Sequence, residues 1–198
     1  MNGINSTKLA VGPGPPAYHV QTNWHVITGW ACSGKTTLIK QLEEMGYQTV
    51  AETARIYIEQ QIAKGRTFSD IYGKPDEQRI LKELQRATES SLCPGDIVFL
   101  DRALPDSLAF YRLVGIDPNE LLPECLNHRY ASVFILDRLP MQLNGARVDD
   151  DDDASYMDKQ LESDYRSLGY DVTRVPVLPP EERLDYVLTR LPSSARSP

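Results

Sequence analysis

The 198-residue chain is short of positive charge, of cysteine and of long apolar runs, and each shortage removes a class of function. Twenty-one Lys and Arg stand against 28 Asp and Glu, a net charge of −7. Such a molecule repels polyanions, so no nucleic-acid partner is expected, and any phosphate it binds must be held by local positive potential. No apolar stretch approaches the roughly 20 residues a membrane helix needs, and no basic head with an apolar run and a small-residue cleavage site opens the chain. The expectation is therefore no membrane partner and a cytoplasmic location. The three cysteines, Cys32, Cys93 and Cys125, are odd in number and far apart, which gives neither a disulfide framework nor paired zinc ligands. They read as free thiols. His19, His25 and His128 fall in no nucleophile or zinc spacing and read as structural.

What remains is an ordinary globular balance, 41% hydrophobic and 25% charged, in a chain long enough for one core. Residues 1–21, with Val11-Gly-Pro-Gly-Pro-Pro16, read as a disordered leader and 193–198 as a disordered tail, leaving a domain over 22–192. Within it, apolar runs at 24–27, 47–51, 97–100, 132–136 and 171–175 alternate with helical periodicity over 35–45, 53–63, 76–92, 106–114, 119–127, 153–168 and 181–191. In the third of these helices Ile80, Leu81 and Leu84 are expected to face inward. Ile97-Val-Phe-Leu100 shows no polar alternation, as in a strand covered on both faces. The pattern predicts a three-layer α/β domain with a parallel sheet and helices on both faces, its ligand site outside the carboxyl ends of the strands.

Between the first strand and first helix lies Gly29-Trp-Ala-Cys-Ser-Gly34-Lys35-Thr36, a G-x-x-x-x-G-K-[ST] phosphate loop. Average residue usage produces that pattern by chance in only about one chain in a hundred of this length. The glycines let main-chain amides of Ala31, Cys32, Ser33 and Gly34 turn toward a nucleoside triphosphate, aided by the helix N-terminus at Thr36 and Thr37. Lys35 reaches the β and γ phosphates, and the Thr36 hydroxyl is a ligand for Mg²⁺. Absence of the guanine-reading Asn-Lys-x-Asp signature favours ATP over GTP.

Other polar residues gather at the same strand ends. Asp101 closes the third strand, where it either holds Mg²⁺ or caps the helix beginning near Asp106; Arg102 beside it balances phosphate charge or pairs with Asp106. Glu52 follows the second strand and is placed either to take a proton from an acceptor hydroxyl or to complement the helix dipole, with Arg55 three residues on as a candidate anion holder. Arg147 lies in a segment of about 138–153 expected to act as a mobile cover, and it would arrive over the transferring phosphoryl. The run Asp149–Asp153 behind it reads as a solvated loop with Asp153 as helix N-cap.

Several stretches together resemble a known family. Ile27-Thr-Gly29 leading into Gly34-Lys35-Thr36-Thr37, Glu52-Thr-Ala-Arg55 before Ile58-Glu59, Phe99-Leu-Asp101-Arg102 with Pro105-Asp-Ser107, Arg147-Val-Asp149, and Val175-Pro-Val-Leu-Pro-Pro-Glu-Glu-Arg183 resemble the small AAA-type P-loop ATPases. That family groups with the ribosylnicotinamide kinase domain of the bacterial NAD regulator and with the nucleotide-binding half of an insect photoreceptor-trafficking GTPase. The resemblance spans about residues 22–192. It implies a nucleoside-monophosphate-kinase-like fold with sheet order 2-3-1-4-5, Mg-nucleotide binding and phosphotransfer. The five-Asp run is not part of that pattern.

Two functions follow as expectations. The first is a Mg²⁺-dependent kinase moving the γ-phosphoryl of ATP to a small hydroxyl-bearing acceptor, nucleoside- or nucleotide-like, whose identity the sequence does not fix. Lys35, Thr36 and Asp101 would hold the nucleotide, Glu52 would act as base, Arg55 and Arg102 would orient anionic groups, and Arg147 would close the site. The second is a switch that hydrolyses ATP or GTP slowly and signals to a protein partner through the long loop around Tyr72.

Overall fold

The computed structural model describes residues 6–139 and 151–195, with side chains described outside 151–154. Five parallel strands, β1 (Trp24–Thr28), β2 (Gln48–Val50), β3 (Val98–Asp101), β4 (Ser132–Leu136) and β5 (Val172–Val175), form a sheet of order β2-β3-β1-β4-β5. That is the expected five-stranded order; the difference is an additional two-stranded parallel ribbon, Val20–Gln21 against His128–Arg129. Pairing of Ile27 with Asp101 and of Val50 with Leu100 brings the carboxyl ends of β1, β2 and β3 to one edge. The helices are α1 (Lys35–Glu44), α2 (Thr53–Ala63), α3 (Pro75–Ser90), α4 (Asp106–Leu113), α5 (Leu122–Cys125), α6 (Asp151–Ser167) and α7 (Pro180–Leu188). None is long and apolar enough to cross a membrane among the described residues.

Strand residues point alternately to two cores. Val26, Leu100, Val133 and Ile135 meet Leu108, Ala109, Leu161 and Tyr165 from α4 and α6 on one face. On the other, Ile27, Phe99 and Phe134 meet Leu38 and Leu42 of α1 and Val187 of α7. β1 is buried at every position, polar His25 and Thr28 included, and the His25 ring lies tilted against Phe99 at 5.1 Å. Cys32, Cys93 and Cys125 are free thiols, the last buried.

Four expectations change. The segment read as a disordered leader is, from residue 6, laid against the domain: Ala10 N donates to Asn119 Oδ1 at 2.7 Å, and Tyr18 donates to Leu168 O at 2.6 Å while packing edge-on against Tyr170. Its Tyr and Leu side chains supply the apolar contact that its Gly and Pro content obscures. Likewise Ser193–Ala195 of the supposed tail forms a 3-10 turn that buries Ala195. Helix α6 starts at Asp151, so Asp153 lies within it and is not its N-cap. The expected helix over 119–127 divides into a 3-10 turn, Pro118–Glu120, and α5, because Pro123 supplies no amide to continue the first. The remainder of the expected cover, including Arg147, lies outside the described residues.

Candidate active site

The phosphate loop begins where β1 ends, squeezed beside β4. A Cβ on Gly29, at φ +134°, would lie 2.6 Å from Leu136 O, so only glycine lets the chain turn there. Cys32 and Gly34 also take positive φ, 62° and 84°, and curl the loop ahead of α1. Lys35 opens α1, 6% exposed, and folds back so that Nζ donates to Gly29 O at 2.9 Å, Trp30 O at 3.1 Å and Ser33 Oγ at 3.4 Å. Burial, helped by the charge of Arg102 and opposed by Asp101, Glu52 and Asp106, lowers its pKa to about 8. Of the loop residues expected to hold nucleotide, Ala31, Gly34, Lys35, Thr36 and Thr37 line the main cavity. Gly29, Cys32 and Ser33 shape the loop from behind: Cys32 O accepts from Leu139 N at 3.1 Å and Ser33 O from Arg183 Nη1 at 2.5 Å.

Three carboxylates, Asp101, Glu52 and Asp106, lie near enough to Lys35 for their charges to act on it. Asp101, 4% exposed, has a buried Oδ1 with no hydrogen-bond partner among the described residues. Burial and the neighbouring Glu52 charge push its pKa up to about 6 against the pull of Lys35 and Arg102. Glu52 behaves oppositely: burial works to raise it, but Arg102, Lys35 and the Arg102 hydrogen bond outweigh that and hold its carboxyl below the ordinary range. Arg102 donates from Nε to Glu52 Oε1 at 2.9 Å and from Nη1 to Asp106 Oδ1 at 3.1 Å, its guanidinium 5.4 Å from the Phe110 ring centre. Asp106 also accepts from Tyr165 OH at 2.6 Å, from Ala103 N at 3.2 Å and from the Thr28 hydroxyl. Arg102 thus pairs with Asp106 as one reading allowed, but in a buried position and jointly with Glu52. Arg55 is exposed and its Nη1 lies 3.4 Å from Thr36 Oγ1.

Asp101 is buried and is not in the cavity lining, whereas Lys35, Thr36, Glu52, Arg55, Arg102 and Asp106 border one cavity of about 440 Å³ that Gln85, Phe110 and Tyr72 also line. Its far wall comes from α2, α3 and the connection between them, a loop stiffened by the 3-10 turn Phe68–Asp70 with reciprocal Thr67/Asp70 capping. Here the reading of α3 is corrected. Ile80 and Leu84 are 41% and 37% exposed, and the buried face carries Glu77, Gln78, Gln85 and Glu89 instead. The helix packs over a polar site and not onto the sheet core. Gln78, Gln85 and Phe110 were not singled out from sequence; the polar stripe at positions 78, 85 and 89 is the signal that points to the first two. Arg183 was also missed as a loop contact. It is 4% exposed and presses on the phosphate loop so closely that a Cβ on Gly34 would lie 2.7 Å from its Nη1.

Thr36 and Asp101 supply hard oxygen donors, and the orphaned Oδ1 of Asp101 suits a Mg²⁺ ion that keeps most of its waters and phosphate ligands. No cluster of three or more His, Cys, Asp or Glu among the described residues forms an all-protein metal cage.

Solved structures share this fold. Among solved structures, NadR protein in complex with NR superposes with a TM-score of 0.66 at 19% identity, covering 86% of this chain and 52% of that one. NadR in complex with NAD and AMP-PNP gives 0.61 at 18%, covering 85% and 49%. Deoxyadenosine kinase from M. mycoides, with dCMP and dCDP bound, gives 0.57 at 15%, covering 84% and 97%. The chain spans about half the length of the NadR chains. At such identities the likeness is one of fold. No curated protein sequence matches significantly. A family profile described as an AAA domain, however, matches residues 24–183, from the start of β1 to the arginine that backs the phosphate loop, and the chain belongs to that family of P-loop nucleotide-binding proteins.

Proposed function

We propose that the protein is a Mg²⁺-dependent kinase that transfers the γ-phosphoryl of ATP to a hydroxyl of a small, nucleoside- or nucleotide-like acceptor. The observation that carries this reading is the single cavity that joins the phosphate loop to Glu52 and continues beyond it to Gln85 and Phe110. Hydrolysis needs room for one water; this space accommodates a second small molecule. Lys35 and the amides of Ala31 to Thr37 hold the triphosphate. Thr36 and Asp101 are the residues that would hold Mg²⁺, which neutralises phosphate charge when bound.

The transfer balances with the residues at hand. The acceptor O–H gives its proton to the Glu52 carboxylate as its oxygen bonds to the γ-phosphorus, and the bond from that phosphorus to the β–γ bridging oxygen breaks, leaving its electron pair on ADP. Arg102 fixes the Glu52 carboxylate in place, and Arg55, exposed beside Thr36, is available to an anionic acceptor group. Arg147 is proposed to close over the phosphates.

ADP release is measured with ATP and a panel of nucleosides and phosphorylated metabolites. Acceptor-dependent turnover is expected, with Glu52→Gln retaining nucleotide affinity and losing about 10²- to 10⁴-fold in rate. No acceptor-dependent turnover with any compound overturns the reading. A second reading, a slow ATP- or GTP-hydrolysing switch, draws on Ile62 and Tyr72, apolar side chains of the cavity lining that are 47% and 38% exposed. It requires the same hydrolysis rate with and without acceptors.

A further inference from the structure

Gln85 projects from α3 into the cavity wall and is 8% exposed. Its Nε2 donates to Glu89 Oε1 at 3.0 Å and to Arg102 O at 3.5 Å. Both partner oxygens act as acceptors in this network. Arg102 O is a main-chain carbonyl, and Glu89 Oε1 already takes the Leu104 N–H at 2.8 Å while the Tyr130 hydroxyl donates to the other oxygen at 2.8 Å. Turned over, the amide would set its own oxygen against two acceptors, so the surrounding network assigns its orientation. The atom left for the cavity is Oε1, which is not sealed from solvent and receives no hydrogen bond from the described residues. It is a fixed acceptor with the buried Glu89 side chain behind it.

Aromatic rings accompany it. Phe110 of α4 lines the same cavity and stacks on Trp30 with ring centres 5.5 Å apart. Phe68 and Tyr72, also in the wall, stack on each other at 4.9 Å. A flat apolar body gains dispersion and burial among such faces. A carboxylate or phosphate here would meet Gln85 Oε1, an acceptor with no proton to give it.

We infer that Gln85 determines acceptor specificity and selects a planar heterocycle that presents an N–H donor, an amino or carboxamide group, at its edge. The inference rests on the proposed acceptor site. A ligand without that donor leaves the Gln85 oxygen desolvated and unpaired, a loss worth about ten- to a hundredfold in affinity.

The test is calorimetric titration of the full chain, its phosphate loop first saturated with Mg²⁺ and a non-hydrolysable ATP analogue. Two matched pairs are titrated: adenosine against purine riboside, and cytidine against the pyrimidinone riboside that lacks its amine. The expected result is that at least one amino nucleoside binds ten- to a hundredfold tighter than its amine-free partner, and that Gln85→Leu, or Gln85→Met should the first not fold, removes the difference without changing affinity for the ATP analogue. Equal affinity within both pairs, no binding by any of the four, or a preference that survives the substitution overturns the inference. The kinase reading fails separately: the preference is present, yet no ADP appears when ATP replaces the analogue.

Discussion

Arg102 and Glu52, 50 residues apart in sequence, meet at the carboxyl edge of the sheet through an Nε–Oε1 hydrogen bond of 2.9 Å. The contact is made from a left-handed backbone, φ +70° at Arg102, pinned by donation of its N–H to Ile27 O at 3.0 Å. Strain of this kind persists only when neighbours hold it, and here the guanidinium fork is held at one prong by Glu52 and at the other by Asp106. A lysine ammonium cannot reproduce a planar fork across two carboxylates. Arg102→Lys is therefore expected to lower the denaturation midpoint by an amount equivalent to about 1–3 kcal/mol and to reduce kcat more than nucleotide affinity, because Glu52 loses its orientation. Denaturant titration and steady-state kinetics check it; an unchanged midpoint would show that the fork holds nothing.

The backing of the phosphate loop by Arg183 gives a second prediction. Gly34→Ala meets two costs, a non-glycine residue at φ +84°, worth roughly 1–2 kcal/mol, and a Cβ placed 2.7 Å from Arg183 Nη1. Arg183→Ala removes only the second. The double variant is expected to be less destabilised than the sum of the two single ones, the signature of contact between the sites. Urea midpoints of the four proteins decide it, and strict additivity would mean that Arg183 does not press on the loop.

Much of this arrangement was readable because most strands are apolar runs alternating with helical periods, which gave the parallel α/β class, the phosphate loop and the placement of Glu52 and Asp101 at one edge, while the sheet order came from the family resemblance. The face of α3 was not readable by the same rule. Ile80 and Leu84 have the helical spacing of a core stripe, but α3 spans a polar cavity, so Glu77, Gln78, Gln85 and Glu89 turn inward and the aliphatic side chains outward. Periodicity identifies a helix, and what covers each face depends on partners distant in sequence. The same reason hid the Arg102–Glu52 pair, the Arg183 contact across 150 residues and the docking of the leader through Tyr18.

Arg112 and Asp164 form a further buried pair, 3% exposed on each side chain, with Nη1 and Oδ2 2.6 Å apart between α4 and α6. Nε of the same arginine donates to Thr7 O at 2.9 Å, which ties the N-terminal segment to the domain. Asp164→Ala leaves an uncompensated guanidinium, and a loss of about 3–5 kcal/mol is expected. Replacing both residues with leucine recovers most of it, because an apolar pair of similar volume needs no charge compensation. Thermal denaturation of both variants tests this; equal destabilisation would place the cost in packing and not in charge.

Glu89 contributes a decline of stability with rising pH. Burial raises its pKa to about 7, against hydrogen bonds from Gln85, Tyr130 and Leu104. The native state therefore binds a proton that the unfolded chain, with an ordinary glutamate, has already released. Stability from this group is fully present below the unfolded value near 4.5 and is lost as pH rises through about 7. Asp101, raised to about 6, acts with the same sign over the lower part of that window. In EDTA and without nucleotide, the unfolding free energy is expected to decline between pH 5 and pH 8, by at most about 3 kcal/mol for the Glu89 proton. Glu89→Gln should flatten the decline, since a glutamine oxygen still accepts the Leu104 N–H and its amide can donate to the Tyr130 hydroxyl. Denaturant titrations of both proteins across this range decide the matter. An undiminished slope in the variant would assign the proton elsewhere. Buried His25, lowered to about 4, acts with the opposite sign up to about pH 6.5. It is therefore the absence of a decline above that pH in the wild type that would mean Glu89 is ionised in the native state.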